Sequence, residues 1–217
     1  MNRKGLLIVI SGFSGAGKGT LMKKLMEEYD QYALSVSMTT RAPRKGEVHG
    51  REYFFSTVEE FEKKIKAGGL IEYARYCENY YGTPKEYVEE QLEAGKDVIL
   101  EIEIQGAMKI KEKYPDSILL FVMPPSAAVL QQRLIGRGTE TKEVIMQRLL
   151  RAGEEAVGIE NYDYIIVNDD LDECVKELHK LLENSHEEIQ NQYHPREYKE
   201  LIENMRVELT SLVKGEK

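Results

Sequence analysis

Near the start of the chain, Gly12-Phe13-Ser14-Gly15-Ala16-Gly17-Lys18 has the residue types and spacing that grip a polyphosphate. Glycines let successive backbone N–H groups turn inward into an anion-binding nest, and a helix starting just after them adds the positive end of its dipole. A lysine closing such a loop reaches the oxygens of the outer phosphates. The context supports the match, because the aliphatic run Leu6–Ile10 precedes it. Leu21, Met22, Leu25, Met26 and Tyr29 then recur at helical spacing. A glycine turn with a solvated lysine is the competing reading, and strand, spacing and helix together weigh against it. One position departs from the pattern. Gly19 stands where a Ser or Thr hydroxyl would meet Mg²⁺, and Thr20 follows. No metal ligand is therefore expected directly from the loop. The ion is expected to arrive with the nucleotide, held by phosphates and water, with Thr20 or Glu101 helping through water. Thr20 could also donate to a phosphate oxygen.

The elements that must hold this loop are legible around it. Leu6–Ile10, Val98–Ile102, Ile118–Met123 and Tyr164–Val167 are short apolar runs that read as strands buried on both faces. Helical spacing lies between them, as in Leu171, Val175, Leu178, Leu181 and Leu182. Buried strands alternating with amphipathic helices predict an α/β fold, a P-loop core with a largely parallel sheet flanked by helices. Residues from about 35 to 90 break the rhythm. Rich in Tyr, Arg and Gly, they read as an inserted, mostly antiparallel subdomain. Gly136-Arg137-Gly138-Thr139-Glu140-Thr141 reads as a mobile loop within a lid of about residues 134–154. Residues 1–184 then form the main domain and 185–217 a helical extension. There Tyr198, Leu201, Ile202, Met205, Leu209 and Leu212 recur at helical spacing, with packing as their default role.

Composition narrows the function. Of 217 residues, 41% are hydrophobic and 31% charged, enough for a packed core. Lys and Arg number 30 against 38 Asp and Glu, a net charge of −8. Non-specific nucleic-acid binding is not expected of so acidic a chain, so any anion must be held by a local cluster of Arg and Lys. Two unclustered cysteines, Cys77 and Cys174, suit a reducing compartment. The start of the chain does not read as a signal peptide, and no apolar run is long enough to span a bilayer. The expectation is a cytoplasmic protein with no membrane partner. The histidines His49, His179, His186 and His194 lack ligand spacing, and the sequence leaves the oligomeric state open.

Beyond the loop, the chain carries Ser37-Met38-Thr39-Thr40-Arg41-Ala42-Pro43-Arg44, then Gly46-Glu47 and Tyr53-Phe54-Phe55. Ile71-Glu72-Tyr73, Asn79-Tyr80-Tyr81-Gly82-Thr83, Ile104-Gln105-Gly106, Gly136–Thr141 and Asn168-Asp169-Asp170 follow. In this order, from about Leu6 to Leu182, these motifs resemble the guanylate kinase family. The resemblance implies an α/β core with an inserted mixed α/β monophosphate-binding subdomain and a lid, and transfer of the γ-phosphoryl of ATP to GMP, with dGMP also accepted. It implies that Arg41, Arg44, Tyr53 and Tyr81 hold the acceptor phosphate, for which two guanidinium forks and two phenols suit a dianion. It also implies that Ser37, Glu72, Gly82 and Thr83 line the guanine site, with Glu103 standing where the family usually has Asp. Arg133, Arg137 and Arg148 match lid arginines, Arg148 reaching the acceptor as well. Asn168 and Asp169 stand where the family meets the adenine of ATP. Lys18, Arg44, Arg137 and Arg148 are then the catalytic cations, with Mg²⁺ the only cofactor. Two alternatives remain: a non-catalytic interaction domain of the same fold, and a kinase for another small acceptor such as AMP, a pyrimidine nucleotide or ribose bisphosphate.

Overall fold

A strand buried on both faces needs no alternation of polar and apolar residues, and the first aliphatic run meets that condition. Ile8, Val9 and Ile10 have no exposed surface. In the computed structural model, which describes residues 4–76, 78–136, 138, 141–186 and 192–215, this run forms β1 (Leu7–Gly12), two residues longer at its end than expected. There follow α1 (Lys18–Glu28), β2 (Tyr32–Leu34), β3 (Met38–Thr39), β4 (Phe54–Phe55), α2 (Val58–Lys66), β5 (Leu70–Tyr76) and β6 (Asn79–Pro84). Next come α3 (Lys85–Glu93), β7 (Asp97–Glu101), α4 (Ile104–Lys113), β8 (Ile118–Met123), α5 (Ala127–Gly136) and α6 (Lys142–Glu155). After a 3₁₀ turn at Ala156–Asn161 the chain forms β9 (Tyr164–Val167) and α7 (Leu171–His186). A second turn, Pro195–Tyr198, leads into α8 (Lys199–Gly215). Runs 118–123 and 164–167 are strands as expected. The second core strand begins one residue early because Asp97 is drawn in: its side chain is buried and its Oδ1 accepts the Leu6 N–H at 2.8 Å.

The chain divides into two compact units, with β1 running from one into the other. The first takes Met1–Val9 and Tyr29–Ile118. Its core strands lie in the order β2-β7-β1. β2 and β7 are parallel with Tyr32 opposite Asp97, and the Val98 N–H donates to the Leu6 carbonyl at 2.8 Å. Its second sheet has the order β4-β3-β6-β5. The insert is mostly antiparallel, as expected: β5/β6 and β3/β6 are antiparallel, and the short β3/β4 pair is parallel because the Arg-rich connection after β3 brings the chain back in the same direction. Helix α2 starts at a reciprocal cap in which Thr57 Oγ1 accepts from Glu60 N–H and the Glu60 carboxylate accepts from Thr57 N–H. Its Phe61, with no exposed surface, stacks on Tyr80 at 5.1 Å.

The second unit takes Ile10–Glu28 and Leu119–Lys217, with core strands in the order β1-β8-β9. β8 and β9 are parallel, with Leu120 opposite Tyr164. Phe13 packs edge-on against Phe121 at 5.1 Å, and Phe121 against Tyr162 at 5.2 Å. α1 packs on α7, and α8 packs on α5 and α6, burying Ile202, Met205 and Leu209. Burial pushes the Cys174 thiol up to about 12, so it is a packing group rather than a nucleophile. Among the described residues no helix is long and apolar enough to cross a membrane. Cys77, Arg137, Thr139 and Glu140 lie outside the described residues.

Gly82 is the tightest point of the second sheet in the first unit. A Cβ there would lie 2.8 Å from the Glu72 carbonyl oxygen and 3.0 Å from both Phe61 Cζ and Tyr73 Cβ. Overpacking of this kind costs about 1–3 kcal/mol. Gly82→Ala is expected to lower the unfolding free energy by about that amount, measured by urea denaturation.

Candidate active site

The phosphate loop belongs to the second unit and is pinned from below. Phe13 and Ala16 have no exposed surface, and the Ala16 N–H donates to the Phe13 carbonyl at 3.0 Å. Gly17 has φ 90°, a conformation that an L side chain adopts only under strain. A Cβ there would also lie 2.5 Å from Asn168 Nδ2. That amide is the pin: Asn168 is buried, and its Nδ2 donates to the Ala16 carbonyl at 2.8 Å while its backbone N–H donates to Met123 at 2.9 Å. Lys18 folds back over the loop, its ammonium donating to the carbonyls of Gly12 at 2.7 Å and Phe13 at 3.2 Å. These two bonds hold the lysine ammonium over the nest. Phe13–Gly17 form a loop that leads from β1 directly into α1 at Lys18. Gly19 and Thr20 lie exposed in the first turn of that helix.

The lid arginines of the same unit converge on this loop. Arg148, on α6, donates through Nη1 to Ser14 Oγ. Arg133, on α5, makes long contacts at 3.4 Å to the carbonyls of Ala16 and Asp169. Loop, Arg133, Arg148, Asn168 and Asp169 are thus brought together, with Asp169 exposed at the rim. Asn168 differs in detail from its expected part: its side chain reaches the loop backbone.

The first unit holds a cavity of about 360 Å³ lined by Ser37, Tyr53, Glu72, Tyr81, Gly82, Glu101 and Glu103, with Ala74, Ile102, Gln105 and Gly106 completing the wall. Seven residues singled out from the sequence therefore share one concavity. The buried hydroxyl of Thr83 donates to Glu72 Oε1 at 2.8 Å. Burial pushes the Glu72 carboxyl above the ordinary value of 4.5, and the hydrogen bond from Thr83 partly opposes that rise. Thr83 thus meets the site through Glu72 and is not itself part of the cavity wall. Glu103 is the N-cap of α4, yet its side chain makes no cap hydrogen bond and lines the cavity instead. Burial also raises the Tyr53 phenol, with the neighbouring Tyr81 adding to the rise, so it stays a neutral donor at pH 7.

Arg41 stands beside this cavity, held from several sides. Its Nη2 donates to both oxygens of Glu47 at 2.9 and 3.0 Å, and its Nη1 to the Ala42 carbonyl at 2.8 Å. Its guanidinium lies 5.4 Å from the centre of the Tyr53 ring. Glu47 also accepts the Arg44 backbone N–H at 2.7 Å. One carboxylate therefore organises the whole Arg41–Arg44 turn, and the Arg41 guanidinium in turn holds the Glu47 carboxyl below its ordinary value. Arg44 itself is exposed. In the sequence Gly46-Glu47 is a motif with no role of its own for Glu47, whose one signal is an acidic side chain three positions after Arg44 in an otherwise basic turn. Gln105 and Gly106, in the Ile104-Gln105-Gly106 motif, line the cavity without a role foreseen from the sequence.

A family model described as guanylate kinase matches residues 4–185. A guanylate kinase of Oceanobacillus iheyensis is 46% identical over 203 residues, covering 94% of this chain and 98% of that one. That of Lactococcus lactis is 50% identical over 186 residues, covering 86% and 91%. Among solved structures, guanylate kinase from Anaplasma phagocytophilum aligns with a TM-score of 0.68 and 34% identity, over 88% of this chain and 89% of that one.

Removing the buried amide of Asn168 leaves the Ala16 carbonyl without that donor. Such a loss costs about 1–3 kcal/mol. Asn168→Ala is expected to show that loss in chemical denaturation, whereas Asp169→Ala at the exposed rim is expected to stay within about 0.5 kcal/mol of the parent.

Proposed function

The chain belongs to the guanylate kinase family, and on that premise we propose that it transfers the γ-phosphoryl group of ATP to GMP and, with the same contacts, to dGMP. The observation that carries the acceptor assignment is the partly buried Glu72 carboxylate, bonded to Thr83 Oγ1 at 2.8 Å in a cavity with Ser37. Guanine presents N1–H and N2–H₂ side by side, and one carboxylate accepts both. Adenine would set the N1 lone pair against Glu72 and leave a buried charge unpaired, which such sites reject by about 10⁴-fold or more. Glu101 and Glu103 add to the acidic character of the wall, which favours an amino-bearing base edge.

The acceptor phosphate is assigned to Arg41, Arg44, Tyr53 and Tyr81. Arg41 comes to that task already oriented by Glu47, so little ordering entropy is lost on binding. ATP is assigned to the loop Gly12–Thr20, with Asn168 and Asp169 on its base side. Lys18 exchanges its carbonyl partners for the β- and γ-phosphate oxygens. Phosphoryl transfer asks the protein for in-line alignment and positive charge over the moving group, and an arginine so placed is worth about 10³ or more in rate. Arg133 and Arg148 supply that charge from α5 and α6, together with Arg137. Mg²⁺ would enter with ATP and neutralise charge on the outer phosphates. Either the exposed Thr20 hydroxyl or the Glu101 carboxylate would serve it through water, as an oxygen donor suited to a hydrated hard cation. With these substrates the enzyme works in the cytoplasm.

Three outcomes test this reading. With Mg-ATP, ADP formation is expected with GMP and at most a small fraction of that rate with AMP, CMP or UMP; equal turnover with AMP would overturn the role of Glu72. The KM for GMP is expected to rise as pH falls, beginning above the 4.5 of an ordinary carboxyl. The raised Glu72 group takes up its proton there and loses its acceptor character, and Glu72→Gln should flatten that rise. Because the folded value is raised, ionisation of Glu72 also costs stability. Its favourable contribution is complete below 4.5 and is lost as pH climbs through the raised value. Glu47→Gln keeps one acceptor but loses the fork on Arg41. It is expected to raise the KM for GMP about 10-fold, the order of one charge-assisted hydrogen bond, with the KM for ATP unchanged within about twofold.

A further inference from the structure

α8 holds the two helices that carry the lid arginines, and it does so at their far ends, away from the Gly136–Thr141 loop. At the start of α5, Ser126 Oγ accepts the Val129 N–H at 3.2 Å, an ordinary helix cap. The Ala127 N–H at the same terminus donates instead to Glu208 Oε2, from α8, at 2.9 Å. At the end of α6, the carbonyl of its C-cap residue Ala156 accepts two hydrogen bonds from Arg206 of α8, from Nε at 3.2 Å and Nη2 at 2.8 Å. The same guanidinium is held by Glu160 at 3.0 Å. The charges match the helix dipoles at both points, an anion at the N-terminus of α5 and a cation at the C-terminus of α6. Between these grips, Ile202, Met205 and Leu209 of α8 are buried.

We propose that α8 is a positioning brace for phosphoryl transfer, in which Glu208 acts through α5 on Arg133 and Arg206 acts through α6 on Arg148. The lever lengths make the grips matter. Arg148 lies eight residues before Ala156, about 12 Å along a helix rising 1.5 Å per residue. A tilt of about 5° at the braced end moves the guanidinium by about 1 Å, a misplacement that can cost about 10²-fold in rate. Packing alone fixes a helix against its neighbours less finely than that, because apolar contacts are non-directional. The hydrogen bonds from Glu208 and Arg206 set angle and height at the fixed end of each lever. The proposal rests on the roles given above to Arg133 and Arg148, and it assigns a function to a helix that begins after the matched family region ends at residue 185.

The test uses the full-length protein at a temperature where circular dichroism shows every variant folded. Glu208→Ala and Arg206→Ala are expected to lower kcat about 10-fold each while leaving the KM for GMP within about twofold, because the acceptor cavity belongs to the other unit. Glu208→Gln, which keeps a carbonyl oxygen for the Ala127 N–H, should recover most of kcat. Should Glu208→Ala fail to fold, Arg206→Lys, which loses the paired donation to the Ala156 carbonyl, carries the same comparison with a smaller change. The deciding measurement places Glu208→Ala in an Arg133→Ala background. If the brace acts through Arg133, the second change adds little to the first. Additive losses, an unchanged kcat in both single variants, or equal changes in kcat and KM would each overturn the proposal. Failure of the underlying roles looks different, since Arg133→Ala and Arg148→Ala alone would then leave kcat intact.

Discussion

A chain of net charge −8 that must hold two polyanions cannot rely on its overall field, and every cation meeting phosphate has to be aimed. This constraint organises both units. In the phosphate loop the attraction comes first from backbone N–H groups and a helix terminus, which carry no net charge of their own and cannot be screened by rotating away. The cations are then restrained one by one: Lys18 by loop carbonyls, Arg148 by Ser14, Arg41 by Glu47. A carboxylate next to a phosphate-binding arginine looks self-defeating. It lowers the local potential, but it fixes the plane of a fork whose usefulness depends on geometry.

The cavity around Glu72, as the proposed acceptor site, faces a different problem. Selecting between two purines of nearly equal size cannot be done by shape, since a pocket that differs by an atom or two gives only modest discrimination. It can be done by leaving the wrong partner with an unsatisfied buried charge. Glu72 is suited to that because it is buried enough for its ionised form to be costly, and Thr83 supports the ionised form without filling its second oxygen.

How much of this was legible in the sequence follows from how local each signal is. The strands at 118–123 and 164–167 were readable to the residue, because continuous burial leaves no other pattern. The phosphate loop was readable because its chemistry is contained in consecutive residues. The parallel pairing of β3 with β4 was not, since strand direction there depends on the path of the loop between them. Ser37, Glu72 and Glu103 lie far apart in the chain, and only the family resemblance brought them to one site. The role of Glu47 is not local, because nothing in the sequence shows that Arg41 itself needs holding. The bonds from α8 to α5 and α6 were invisible for the same reason: a glutamate and an arginine on the polar side of an amphipathic helix look like any solvated pair.

Gly19 leaves the start of α1 bare where related loops place a hydroxyl. A Cβ there would meet nothing within 4 Å, so the gap is not imposed by crowding. On the proposed reading, an ion carried in with the nucleotide would meet no side chain from this position and would be held by nucleotide oxygens and water. The choice of divalent cation would then rest on hydration and supply more than on this loop.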